Sequence, residues 1–333
     1  MLLPQTIQTA YHLFFGKLLE DEAMLKELEH VKDVDHLRQR LSSSPEFRDM
    51  VGHWTQYVPE ATSAADREVI VFQHIPKCGG TSFHQILKRM ANERGLKMAE
   101  ERHNGLLNWP LTHLLECGLF SGHYDARSID FIPGEKKIIT LLRDPKERLV
   151  SMYRFLRGHP TANVRRISPE NIRLASLARQ LSMEDFFLMP ELEAHPSLDN
   201  GMVRQLSDAL PCKRWEAFFP RKPFPKTIVD IDPDKALEMA QTRLGNMAAY
   251  GFVEDMDQSC SHIFAVLGFE FEGKILHKNS SDASSTADRN KGLNFVIAED
   301  VSDKLAERLE ALTVLDQKLY DNARANWQPW GKN

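Results

Sequence analysis

The chain has 333 residues, 42% hydrophobic and 27% charged, with a formal net charge of -5. That is enough for one large α/β domain with additions, and the profile is that of a soluble globular protein. The acidic balance argues against a general nucleic-acid binder, whose domain is usually strongly basic.

Residues 1 to about 65 read as helices. Ile7, Tyr11, Phe14, Phe15, Leu18 and Leu19 form an apolar face, followed by Leu25, Leu28 and Val31. A further helical stretch runs from Asp33 to Leu41, and Ser44-Pro45-Glu46-Phe47 has the form of a capped restart. Ala61-Thr62-Ser63-Ala64-Ala65 reads as a linker. The expected organisation is a helical N-terminal extension, residues 1–65, and a catalytic domain, residues 66–333. Met1 to Thr6 lacks the basic start and apolar core of a signal peptide, and no apolar run approaches transmembrane length. A cytoplasmic location is therefore expected.

Val69-Ile70-Val71-Phe72 reads as a buried strand. It ends at His74-Ile75-Pro76, and Lys77-Cys78-Gly79-Gly80-Thr81-Ser82 follows as a tight loop. Phe83, Ile86, Leu87 and Met90 then recur at helical spacing. Strand, small loop and helix N-terminus together make a phosphate cradle, because loop N–H groups and the helix dipole favour an anion. Gly79 and Gly80 allow close backbone approach. Lys77 adds a charge, and Thr81 and Ser82 add donors. The loop is not a Walker A motif, which needs Gly-Lys-Ser/Thr at its end; Gly80 stands where that lysine would be.

Leu119-Phe120 precede Ser121-Gly122-His123-Tyr124, which places His123 at a strand end or loop mouth. Ile138 to Leu142 is a second buried strand. Asp144 then serves as a helix N-cap and Pro145 as the first helical residue, with Leu149, Met152, Tyr153 and Leu156 on one apolar face. Arg143 thus sits at the carboxyl end of a strand, where ligands gather in open parallel sheets. Its fork and the Ser151 hydroxyl suit a second phosphate. Arg154, Arg157, Arg165, Arg166, Arg173 and Arg179 follow, opposed only by Glu170. They read either as an anion-attracting cluster or as a solvated helical face. Later elements are a strand at Thr227–Asp230, helices from Pro233 and from Gln258 to Leu267, a polar loop from Asn279 to Asp288, and one long final helix from about Glu299. Alternation of strand and helix indicates a mainly parallel sheet with covering helices. The four cysteines, Cys78, Cys117, Cys212 and Cys260, are scattered without a C-x-x-C pair. Neither a metal site nor a disulfide framework is expected.

The loop around Lys77 and the segment Arg143-Asp144-Pro145-Lys146-Glu147-Arg148-Leu149-Val150-Ser151-Met152-Tyr153 together resemble the sulfotransferases that use 3′-phosphoadenosine 5′-phosphosulfate (PAPS). The closest likeness in motif is to the carbohydrate 2-O and 6-O enzymes of the heparan sulfate type. Ser121 to Tyr124, Asp199 to Leu206, Tyr250 to Glu254 and Leu315 to Tyr320 also fit, in order, so the likeness spans roughly Glu68 to Tyr320. The one departure is Cys78, where that family usually has Thr. The animal enzymes of this type carry a Golgi anchor; no stretch of this sequence reads as one, so none is expected here.

The resemblance implies an α/β fold, a P-loop-like three-layer sandwich. It implies sulfuryl transfer from PAPS, without a metal, to a hydroxyl of a carbohydrate acceptor, including an anionic one. Lys77, Cys78, Gly79, Gly80, Thr81 and Ser82 would hold the 5′-phosphosulfate, and Arg143 and Ser151 the 3′-phosphate. Lys77 would neutralise the leaving phosphate, as in phosphoryl transfer. The first choice of general base is His123, with His84 second; His74 reads as a structural residue and His103 is unassigned. Glu254 reads as capping the helix after it, and Arg204 with Asn200 either as binding the acceptor or as bracing the site. Cys78, near a helix N-terminus and Lys77, is expected to favour the thiolate. Two other readings compete: a P-loop kinase, disfavoured by the missing Gly-Lys-Ser/Thr, and a nucleotide-binding module without catalysis, which would not need to keep Lys77 and a base.

Overall fold

A computed structural model describes residues 4–15, 18–31, 67–99, 111–124, 126–130, 132–159, 169–192, 195–207, 232–269, 296–297 and 299–329, together with residues 33, 37, 40, 41 and 44. Chain contacts divide it into two compact units, Met1–Arg67 and Glu68–Asn333. The expected strand at Thr227–Asp230 and the loop from Asn279 to Asp288 lie outside the described residues, as do Cys212 and His103.

In the first unit, α1 (Pro4–Phe15) and α2 (Glu22–Glu29) pack around Ile7, Tyr11, Leu19, Leu28 and Val31. Asp21 caps α2 by accepting from the N–H groups of Ala23 and Met24. Leu18 departs from the expected face: it follows the end of α1 and is 64% exposed. The side-chain amide of Gln8 bonds both backbone groups of Leu19, at 2.8 and 3.0 Å, and turns the chain there.

The second unit is a four-stranded, all-parallel sheet in the order β2-β1-β3-β4: β1 (Glu68–Gln73), β2 (Leu119–Gly122), β3 (Glu135–Leu142) and β4 (Ala249–Phe252). Side chains of β1 alternate between two cores. Ile70 and Phe72 enter one, while Val69 and Val71 enter the other. The first core includes Phe83, Leu87 and Met90 of α3 (Gly80–Glu93). The second includes Leu114 of α4 (Leu111–Glu116) and Ile129 of α5 (Ala126–Asp130). Helices therefore cover both faces, and the expected α/β sandwich is present.

Along β3 the chain runs into α6 (Pro145–Gly158), capped as expected by Asp144, whose carboxylate accepts from the Glu147 N–H. Leu149, Met152, Tyr153 and Leu156 of α6 pack with α7 (Pro169–Gln180) and α8 (Met183–Leu188) in a third core. Then come α9 (Gly201–Ser207), α10 (Pro233–Gly245), β4 and α11 (Met256–Val266).

The expected single final helix is instead two, α12 (Asp303–Leu312) and α13 (Val314–Asn326). The break has a cause in another element. Asn200, at φ +48°, gives its N–H to the Leu312 carbonyl at 2.8 Å. Its Oδ1 accepts from the N–H groups of Leu315 (2.8 Å) and Asp316 (3.2 Å). The i to i+4 bond between Leu312 and Asp316 is replaced by these contacts. Ser302 caps α12 by accepting from the Leu305 N–H, so Val301 lies outside it and is exposed. No described helix is long and apolar enough to cross a membrane.

Candidate active site

Because the strands are all parallel, the residues that follow β1, β2, β3 and β4 converge on one edge of the sheet. They are His74 to Gly79, His123, Arg143 with Asp144, and Val253 with Glu254.

After β1 the chain makes a turn with Lys77 at φ +70° and Gly79 at φ +66°. A lysine in the left-handed region is strained, and such strain gathers at functional loops. Gly79 is the N-cap of α3, and no side chain caps that helix, so its first-turn N–H groups keep their donor capacity at the mouth of the loop. Gly80 has a reason the sequence did not suggest. A Cβ there would stand 1.9 Å from the imidazole of His74, so the glycine makes room for that ring. Thr81 and Ser82 are half-buried in the first turn of α3. The Cys78 side chain turns the other way, into the apolar core below the loop. Burial pushes its thiol up to about 12, against the lowering charges of Arg148 and Arg143. The expected thiolate is thus corrected: loss of hydration outweighs the helix and the cations. Cys78 has only its backbone to offer a ligand.

Lys77 extends over α6, with its Nζ 4.3 Å from the centre of the Phe155 ring. His159 sets its own ring edge-on to Phe155 at 4.6 Å. Ser151, Phe155 and His159 follow at i, i+4 and i+8, so they share one helical face with Glu147. Burial first, and then the charge of Lys77, hold His159 below the usual histidine range. Arg143 lies beside the loop: one guanidinium nitrogen donates to the Lys77 carbonyl at 3.4 Å and the other meets Glu147 at 3.5 Å. These contacts are long, and the fork stays partly open to solvent. The two motifs expected to bind phosphate are therefore joined directly, Arg143 to Lys77.

The Arg143–Asp144 turn is held from β4. Glu254 accepts the Asp144 N–H at 2.8 Å, and also the Tyr320 hydroxyl (3.1 Å) and Arg324 (3.2 Å). It braces the helix beside it rather than α11, whose N-cap Asp255 makes no side-chain capping bond and pairs with Arg324 instead. Of the two readings of Arg204, its contacts fit the brace: it pairs with the side chain and carbonyl of Asp199.

His123 follows β2 and is half-buried. Its Nδ1 lies 2.8 Å from the carbonyl oxygen of His74, and the two imidazoles stack with centroids 4.1 Å apart. A carbonyl only accepts, so Nδ1 carries the hydrogen and Nε2 of the neutral ring keeps its lone pair. His84, the second candidate base, is buried and bonded to the Ser121 hydroxyl at 2.7 Å. It sits inside the protein rather than at the mouth. In the arginine cluster, Arg157 is committed to the Ala178 and Leu181 carbonyls, both at 2.7 Å. Arg179 is exposed, while Arg165, Arg166 and the side chain of Arg173 lie outside the described residues.

A model of the sulfotransferase family matches residues 61–322, well over half of the chain. The chain belongs to the sulfotransferase family. No curated protein matches it. As a sulfotransferase it is an enzyme of sulfuryl transfer, and its matched span contains the whole edge described above.

Three parts of this candidate site carry no clear signal in the sequence. One is Phe155, which reads as an ordinary helical aromatic until Lys77 is seen over it. The second is the buried pair Arg148 and Asp316. The third is Gln205, whose amide donates to the His74 carbonyl at 2.9 Å. The partial signal was Gln73, a polar residue closing an apolar strand; its amide donates to the carbonyls of Tyr124 and Gln205.

Proposed function

We propose that this sulfotransferase moves the sulfuryl group of PAPS to a hydroxyl of a carbohydrate acceptor. The observation that carries the reading is the joining of Arg143 to the Lys77 carbonyl. It supports a nucleotide bound by two phosphates, one on the loop and one beside Arg143.

In this reading the first-turn N–H groups of α3, with Thr81 and Ser82, take the 5′-phosphosulfate. Arg143 and Ser151 take the 3′-phosphate, which AMP and ATP lack. Lys77 leaves Phe155 to neutralise the leaving 5′-phosphate oxygen. The acceptor oxygen attacks sulfur in line with that oxygen. The new O–S bond forms as the old one breaks, the acceptor proton passes to Nε2 of His123, and 3′-phosphoadenosine 5′-phosphate leaves. Arg154 and the exposed Arg179 favour an anionic acceptor by long-range attraction.

The test is turnover with sulfur-labelled PAPS over a panel of neutral, uronic-acid-containing and sulfated glycans. Label should move to a glycan hydroxyl, and ATP should not replace PAPS. Phosphoryl transfer from ATP, or transfer of label only to non-carbohydrate alcohols, would overturn the reading.

A further inference from the structure

The base assigned above has a support in the third layer of the site. The side-chain NH2 of Gln205, on α9, spends both hydrogens on backbone carbonyls: His74 at 2.9 Å and Tyr124 at 3.1 Å. Both carbonyls bear on His123. The His74 oxygen also accepts the Nδ1–H of His123 at 2.8 Å, and Tyr124 is the next residue in the chain. Gln73 completes the arrangement from the end of β1, donating to the Tyr124 carbonyl at 3.2 Å and to the Gln205 carbonyl at 3.1 Å. The end of β1 is fixed in turn, because the Thr140 hydroxyl donates to the Gln73 carbonyl at 2.7 Å.

The helix that carries Gln205 is itself anchored. Asp316 of α13 accepts the N–H groups of Met202 (3.1 Å) and Val203 (2.8 Å), the second and third residues of α9. The same carboxylate faces Arg148 of α6, the helix that carries Ser151. A continuous set of bonds thus runs from that helix to the imidazole. Catalytic groups work only when held to within about half an ångström, which requires this kind of second support.

We infer that Gln205 is a positioning residue for His123: by fixing the carbonyl that accepts the ring's Nδ1–H and the carbonyl of the next residue, it holds the imidazole in its Nδ1–H form for proton acceptance at Nε2. The inference rests on the sulfuryl-transfer reading for the role of His123, and on the bonds above for the role of Gln205.

Nitrogen NMR of histidine-labelled enzyme reads the tautomer directly. Wild type should show His123 in a single Nδ1–H form at pH values where the ring is neutral. Gln205→Met keeps the length and removes both donors. It should give a mixture of tautomers and lower kcat by about 10–100-fold, the scale of an ångström-level misplacement. The Kd for 3′-phosphoadenosine 5′-phosphate should stay within about twofold, since Gln205 does not touch the phosphate residues. If Gln205→Met does not fold, Gln205→Glu is scored in the same way, because its carboxylate faces two carbonyl oxygens without donors. A mixed tautomer in wild type, or a variant that keeps both the tautomer and kcat and loses only thermal stability, overturns the positioning role. A wild-type tautomer lost in the variant, with no PAPS turnover in either, leaves that role standing and removes the sulfuryl-transfer reading instead.

Discussion

Arg148 and Asp316 face each other 3.5 Å apart with side chains 1% and 0% exposed, and they join three helices. Arg148 also donates to the Ser197 carbonyl at 3.2 Å, and Asp316 accepts two N–H groups of α9. Breaking a buried pair from one side leaves an unpaired charge in the core. Asp316→Ala should therefore cost about 3–5 kcal/mol, measured by urea unfolding. Asp316→Asn keeps an acceptor oxygen and should cost less. A loss below about 1 kcal/mol for the alanine variant would mean that water reaches Arg148 and replaces the carboxylate.

Arg143 bears on nucleotide choice. Its fork is partly exposed beside the Lys77 carbonyl, and both of its present contacts are long. 3′-Phosphoadenosine 5′-phosphate should bind much more tightly than 5′-AMP, by about 1.5–3 kcal/mol for each charge-assisted bond to the 3′-phosphate. Calorimetry on Arg143→Ala should show most of that preference gone. Equal affinity for the two nucleotides in wild type would remove the 3′-phosphate assignment.

What the sequence revealed of the site was what is encoded locally. The Val69–Phe72 run, the loop, and the Asp144-Pro145 start of α6 each depend on residues a few positions apart. The missed features depend on distant ones. The break at Thr313 is made by Asn200, and the role of Gln205 is set by a carbonyl 131 positions away. β4 is four residues long and gives too short an apolar run to distinguish from the turn before it. The direction of the Cys78 side chain is decided by which core closes under the loop, and proximity to Lys77 in sequence carries no information about that.

Cys78 supplies a chemical test of that burial. A thiol held near about 12 stays protonated at working pH, so it is a poor nucleophile. Alkylation of the Cys78 peptide between pH 7 and 9, followed by mass spectrometry, should be slow in the native enzyme and fast in urea. Adding 3′-phosphoadenosine 5′-phosphate should change the native rate little. Rapid native labelling that the nucleotide blocks would place the thiol in the cofactor pocket instead.

His195 links the same region to acid. It is 2% exposed, and its Nδ1 accepts the Ser197 N–H at 3.1 Å. Burial, and then the charge of Arg204, lower it to about 4. The unfolded chain takes up that proton near pH 6.5, before the folded chain does. The stabilisation is therefore complete above about pH 6.5 and is lost as pH falls toward 4, by at most about 3.5 kcal/mol at about 1.4 kcal/mol per tenfold. His195→Asn keeps an acceptor for Ser197 and should flatten the pH dependence of Tm across that window. An unchanged slope would assign the acid loss to other groups.

In the proposed mechanism His123 takes the acceptor proton. Its Nδ1–H is committed to the His74 carbonyl, so in that mechanism Nε2 is the nitrogen that takes the proton. A base must be unprotonated, so kcat/KM should rise with pH as the imidazole loses its proton. His123→Ala should lower kcat by about 10²–10⁴-fold, the range for loss of acid–base help. Affinity for 3′-phosphoadenosine 5′-phosphate should hold, because the groups assigned to its phosphates lie in the loop after β1, on α3, just after β3 and on α6. His123→Asn separates catalysis from packing: its amide retains a donor near the His74 carbonyl, yet it cannot take a proton. The asparagine variant should fold like wild type and remain as inactive as the alanine one. If it recovers turnover, the ring only holds the β1 and β2 ends together, and proton acceptance belongs to another group at the same edge.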